Sequence, residues 1–283
     1  MDLCYAQICR LLREGYYGGR KEKDFMRFYL RLFALNLKSQ MQYKASLFLS
    51  CLGQFMTAFT SFFSIKFIFM QIDAVGGFTY GQVLLCFSVI MLSFSIGEAV
   101  GGGLANFPRM VNMGEFDRML TRPRNLILQV IIPFFDFTRV GLLAQGIIVL
   151  GLAIPQSGVT WRADKIAGLV LMIVCGAVLF FCLFMFQAAF AFFTMNSLDF
   201  LNIFTYGARQ FGRYPFSVYG KKILHFLTFC IPLALIQYYP LQFLIDDTAH
   251  PAGMFIPCLS LLFILPCYAL FRFGIRKYKS AGS

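Results

Sequence analysis

Ionisable side chains at a spacing that lets them act together are few in this 283-residue sequence. Asp136 and Arg139 stand three apart, which puts them on one helix face, where they can neutralise each other. Lys66, Glu98 and His225 also fall in or beside long apolar runs, each within about one turn of a run's end, where snorkelling carries a charge to the headgroups. Charges at membrane depth are functional suspects, but an ion pathway needs several strung through the membrane centre, and the sequence does not supply them. The two histidines, His225 and His250, lie at opposite ends of one apolar stretch and share no site. The nine cysteines form no CxxC pair, and seven sit inside apolar runs, the pattern of buried free thiols. The sequence has no phosphate-binding GxxxxGK(S/T) loop, no HExxH zinc helix and no GxSxG nucleophile elbow. An embedded hydrolase is therefore disfavoured.

The elements that position these residues must be built in lipid. Hydrophobic residues make up 59% of the chain and charged residues 13%, too apolar a balance for a water-soluble surface. Its 36 Phe, gathered in one soluble core, would leave too little polar surface to cover them. Six apolar stretches can each cross a hydrocarbon core of about 30 Å: Ala45 to Met70, Tyr80 to Val100, Phe134 to Pro155, Ile166 to Thr194, Ile223 to Ile245 and Met254 to Phe273. Leu126 to Ile132 is apolar as well, but adding it to the third span would overshoot the bilayer, so it reads as an interfacial or cytosolic extension with its bend at Pro133.

Lys and Arg set the orientation. Nine lie before the first span, four between Arg109 and Arg124, four between Arg209 and Lys222, and four from Arg272 onward. With six spans all of these fall on one side, and the positive-inside rule makes that side the cytosol, with both ends of the chain there. The net charge of +12 is then explained by topology and anionic lipid, without nucleic acid. Met26, Leu30, Phe33, Leu37 and Met41 recur every three or four residues beside Arg27, Arg31 and Lys38, which predicts an amphipathic helix lying flat at the membrane surface. The first 44 residues are too polar for a secretory signal, so insertion relies on the first span. The expected organisation is a cytosolic segment over 1–44, a six-span domain over 45–273 and a basic tail over 274–283.

The run Gly114, Glu115, Phe116, Asp117, Arg118, Met119, Leu120, Thr121, Arg122, Pro123 resembles the segment that type-2 ABC exporter permeases place between their second and third spans. Tyr214-Pro215, Ile231 to Ile236 and Gln237-Tyr238-Tyr239-Pro240 look like the fifth-span region of the same class. The resemblance implies an all-α membrane domain of six helices preceded by an interfacial helix, paired with an identical or related permease and with separate ATPase subunits that hold ATP and magnesium in the cell inner membrane. It implies a short coupling helix at Gly114 to Arg118 and assigns Arg122, Arg209, Arg213, Tyr214 and Pro215 to the same partner-facing side; Phe116, apolar on a polar loop, is either an anchor in the ATPase or folds back onto lipid or the inner ends of the spans. A substrate path for an amphiphile would run between two permeases, with Phe62, Phe63, Tyr238 and Tyr239 as candidate contacts; lipid-facing packing accounts for the same rings. An ion-coupled transporter and a non-transport membrane scaffold remain open as other readings. Family members often carry a large re-entrant hairpin before the last span, and only Tyr238 to Ala252 is left for one here.

Overall fold

The computed structural model describes residues 22–121, 126–193 and 199–278. Its helices are α1 Glu22–Gln42, α2 Lys44–Phe69, α3 Tyr80–Ala105, α4 Phe107–Asn112, α5 Glu115–Leu120, α6 Leu126–Ile131, α7 Val140–Gln156, α8 Ala163–Phe190, α9 Ala208–Phe211, α10 Lys221–Phe229, α11 Tyr238–Ile245 and α12 Ile264–Lys277. A 3-10 stretch over Pro251–Phe263 leads straight into α12. Five segments are long and apolar enough to cross a membrane: Lys44–Phe69, Tyr80–Asn112, Phe137–Gln156, Ala163–Phe190 and Pro251–Lys277. They match expected spans one, two, three, four and six.

Helix α3 is the central post, with 89% of its apolar window buried, against 61% for α8 and 17% for α2. Small residues allow this. A Cβ on Gly97 would lie 2.7 Å from the Cβ of Phe180, and one on Gly176 would lie 2.4 Å from Ser93 Oγ, so glycine is what lets α3 and α8 touch. Because a helix advances about 1.5 Å per residue, α3 also serves as a depth ruler. Gly81 abuts the Gln156 carbonyl at its first turn. Ser93 donates to the Ile173 carbonyl at 3.2 Å midway. The Asp136 N–H donates to the Ala99 carbonyl at 3.2 Å near the other end, and beyond it Phe107 stacks on Phe116, Phe192 and Phe271. One end of the bundle thus carries the loops around Gly76, Gln156 and Ala163, here the far end. The other carries Phe107 and Lys277, the terminal end. At the far end Gly76 and Gly77, with φ of +58° and +86°, make the tight reversal that only residues comfortable at positive φ allow, and Val75 and Phe78 exchange backbone hydrogen bonds across it.

The expected fifth span requires correction. Ile223 to Ile245 is not one helix: it is α10 and α11 joined by turns over 230–237. Pro232 supplies the reason, since it has no N–H to donate and disfavours helical backbone at Ile231. The strand of chain that climbs the bundle comes earlier. Arg209 lies over the Phe94 ring at 4.8 Å, Gly212 packs on Ile90, and Val218 packs on Gly76, so residues 209–218 rise about 20 Å on the α3 ruler toward the far end. From there α10 turns back inward. The Ala234 N–H donates to the Leu227 carbonyl at 2.9 Å, and Ile236 reaches Gly176 at mid-depth. Helix α11 then returns to the far end, where Asp247 pairs with Lys165 at 2.6 Å. Residues 221–245 therefore form a hairpin that enters and leaves by the far end. Gln237, fully buried, ties its base down by donating to the carbonyls of Gly212 at 2.8 Å and Tyr214 at 3.0 Å.

The bend expected at Pro133 lies within the break between α6 and α7, where a 3-10 turn over Ile132–Phe134 gives way to extended backbone. Helix α6 is packed rather than peripheral: Gln129, Val130 and Ile131 are buried, and Val130 backs onto Gly103. Helix α1 presents a rotated face. Among its described side chains Leu32 and Asn36 are the buried ones and Met41 is exposed, while Met26 and Leu30 have side chains outside the described set.

Candidate functional site

A cleft of about 890 Å³ opens at the terminal end, between the end of α1, the start of α2, the last turns of α3 and the bend after α6. Four charged side chains act on it. Arg139, at the start of α7, reaches Glu98 of α3 at 3.1 Å and Asp136 of the bend at 3.0 Å. Asp136 also accepts from the Thr138 N–H at 2.9 Å, which fixes its rotamer. Arg209, stacked on Phe94, adds a second positive field at Glu98. The Glu98 side chain is 2% exposed and faces both the Arg139 guanidinium and the Tyr206 hydroxyl.

Amides build the rest of the wall. Asn36 and Gln40, one turn apart on α1, both donate to the Phe135 carbonyl, at 3.0 Å and 2.8 Å. Gln40 Oε1 accepts from the Phe137 N–H at 3.3 Å. This clasp pins α1 to the bend, and Phe33 reinforces it by packing on the rings of Phe135 and Phe137. Across the cleft Gln187 of α8 donates to Asn202 at 2.9 Å and leaves its buried Oε1 without a donor. Tyr206 completes this side.

The far end holds a second charged group. Lys165, 1% exposed, donates to Asp247 Oδ1 at 2.6 Å and to Thr160, and the Thr160 hydroxyl donates to the same aspartate oxygen. The Lys165 ammonium, with Thr160, holds the Asp247 carboxyl below the ordinary aspartate range.

The residues singled out from sequence fall into four places. Gly114, with φ +68°, precedes α5, whose first turn carries Glu115 and Asp117, as expected of acidic groups near a helix N-terminus. Arg118 is exposed. Phe116 is not an exposed anchor: it is fully buried, with its ring against Phe107 at 5.1 Å, Phe192 at 5.3 Å and Tyr278 at 5.0 Å. Burying that ring on the bundle removes more apolar surface from water than leaving it on a polar loop. Arg122 lies outside the described residues. Arg209, Arg213, Tyr214 and Pro215 are not gathered beside α5. Arg209 sits at Phe94 and Tyr214 packs against the buried far-end cluster that includes Val83, Phe87 and Leu241, so the climbing segment carries them away from the loop. Phe62 and Phe63 belong to an aromatic ladder on α2. Tyr238 and Tyr239 belong to the hairpin, where Tyr238 meets Phe78 at 6.4 Å and Tyr239 approaches Thr228 at 3.4 Å.

Read from sequence, Asp136 pairs with Arg139, but Glu98 is assigned to the membrane edge and Arg209 to the ATPase-facing side, and Gln187 and the Asn36–Gln40 clasp go unrecognised. One signal was available: two amides four residues apart on an otherwise apolar and basic helix face mark a polar partner.

A family model described as ABC-2 family transporter protein matches residues 55–282. No curated protein and no solved structure matches the chain. Five long apolar helices, a bundle sealed by glycine contacts and a match over most of the sequence agree: the chain belongs to the ABC-2 family of transporters and is an integral membrane permease, the membrane subunit of an ABC transporter rather than its ATPase.

Proposed function

We propose that this chain is the transmembrane half of an exporter driven by ATP hydrolysis in separate subunits, which bind ATP and magnesium, and that it moves an amphiphile through the cleft at Glu98. The polar cleft carries the reading. A bundle in lipid needs only apolar contacts to fold, yet this one keeps Glu98, Asp136, Arg139 and Gln187 around a volume suited to a headgroup. The chain crosses the membrane six times, because α8 ends at the terminal end and Pro251–Lys277 begins at the far end. Residues 199–219 supply the connecting crossing, with 221–245 as a hairpin in the outer leaflet. The terminal end faces the cytosol of the cell inner membrane, where α1 lies along the lipid surface with Arg31 and Lys38 exposed. Helix α5 docks on the ATPase through Glu115, Asp117 and Arg118. A second permease, identical or related, covers the exposed apolar face of α2, where Phe48, Leu49, Met56 and Phe67 are uncovered.

Purification in mild detergent followed by mass spectrometry tests the reading. An ATPase with a phosphate-binding loop should accompany the chain, and the chain alone should not hydrolyse ATP. Hydrolysis that persists after all other chains are removed, or the absence of any ATPase partner, overturns it.

A further inference from the structure

A second groove, of about 460 Å³, runs along α10 and combines cations with exposed aromatic rings. Lys221, Lys222 and His225 line its outer part, and Phe226, Phe229 and Cys230 its inner part. Helical spacing produces the combination, since these positions recur every three or four residues on one face of α10, while Leu224 and Leu227 on the other pack against the core. All six lining side chains are exposed, Phe229 by 73%. The electrostatics of the groove are one-sided. At the same end of the bundle Lys165 and Arg162 each meet an aspartate, at 2.6 Å and 3.8 Å. Among the described residues no carboxylate lies within ion-pair distance of Lys221 or Lys222, and none lines the groove. Two adjacent ammonium groups with an imidazole donor one turn on select an anion rich in acceptor oxygens. The rings decide what kind of anion. Lys221 stands where α10 enters from the far end, and Phe229 lies about 12 Å further along the helix, beside the His225 ring at 4.7 Å, so the groove descends from headgroup depth into apolar depth. A free phosphate would leave those rings uncovered, whereas a phospholipid fills both halves. The quaternary ammonium of phosphatidylcholine would face the two lysines, which favours a lipid of net negative charge. We propose that the α10 groove is a docking site for an anionic phospholipid, its phosphate held by Lys221 and Lys222 with His225 donating beneath, and an acyl chain lying over Phe226 and Phe229. Which leaflet supplies the lipid rests on the orientation proposed above; the binding itself does not.

The test uses the full chain carrying Trp161→Phe and Phe229→Trp, so that its one tryptophan reports from the groove. The protein is placed in nanodiscs of phosphatidylcholine and phosphatidylglycerol, with one or the other lipid brominated on its acyl chains, and quenching is read. Phosphatidylglycerol should be preferred at the groove at least about tenfold, each lysine contributing about fivefold. Lys221→Gln with Lys222→Gln should bring the preference to about one, and either substitution alone should lower it about fivefold. If the double variant is not monodisperse on gel filtration, the single variants decide. A tryptophan at Leu262, exposed and outside the groove, should show a preference under about twofold in the same Trp161→Phe background. An equal preference at Leu262, or a preference kept in the folded lysine variants, reports general attraction of anionic lipid and overturns the proposal. So does loss of the preference when inorganic phosphate is added at constant ionic strength, which marks a site for a free anion. Because the nanodisc bilayer is symmetric and no ATPase is needed, neither the exporter reading nor the orientation affects the result.

Discussion

The two ends of the bundle both bury charge, and they treat it oppositely. At the far end Lys165 is fully enclosed, yet its ammonium meets Asp247 and Thr160 directly, and Asp247 is itself half open to solvent. At the terminal end Glu98 is as deeply enclosed, but its cation, Arg139, is shared with Asp136 beside an open cleft. A buried charge with matched donors acts as a structural latch, here holding the return of the hairpin onto α8. A buried charge that shares its counter-ion at the edge of a cleft keeps more of its desolvation cost. Comparing the two separates architecture from function more cleanly than counting charges does.

The largest expected effect tests the assignment of ends. In a cysteine-free background, Lys222→Cys should react with a membrane-impermeant maleimide on intact cells as fully as Asp247→Cys, while Arg118→Cys reacts only after permeabilisation. Labelling of Lys222→Cys together with Arg118→Cys would restore a continuous fifth span and dissolve the hairpin.

A smaller effect distinguishes packing from docking within the terminal end. Phe116→Ala should lower stability by about 3 kcal/mol, as for other buried Phe truncations, seen as an earlier thermal transition in detergent. Arg118→Ala, at an exposed site, should stay within about 0.5 kcal/mol of wild type and instead weaken ATPase association. Equal stability of the two variants would show that the Phe107–Phe116–Tyr278 aromatic packing contributes nothing.

The smallest effect concerns the far-end latch. Because the Asp247 carboxyl titrates below the ordinary aspartate value of 3.8, its stabilisation is fully present above that value and is lost as pH falls through the lower folded value. Unfolding temperature should therefore drop on acidification from about pH 5 to about pH 2, and Asp247→Asn should lose part of that dependence. An unchanged acid response in the variant would mean that Lys165 does not hold the hairpin.

Much was legible in the chain itself because its causes are local. Apolar runs of sufficient length located five crossing segments, with ends such as Tyr80 and Phe69 within a few residues, since lipid demands continuous hydrogen-bonded helix. Gly114 and the residues around Pro133 marked a helix start and a bend because positive φ and a missing N–H act where they stand. Only the tertiary structure decided the rest. Ile223 to Ile245 has the composition of a span, and an apolar hairpin in lipid has that composition too; Gln237 reaching Gly212 and Tyr214, and Asp247 reaching Lys165, select the hairpin. Periodicity and polarity mark Phe116 as apolar on a polar loop but do not say what covers it, and the rings that do are Phe107, Phe192 and Tyr278, from distant parts of the chain. The cleft needed that same long-range information, because whether Glu98 snorkels, pairs or waits for a ligand depends on where Arg139, Arg209 and Gln187 come to rest around it.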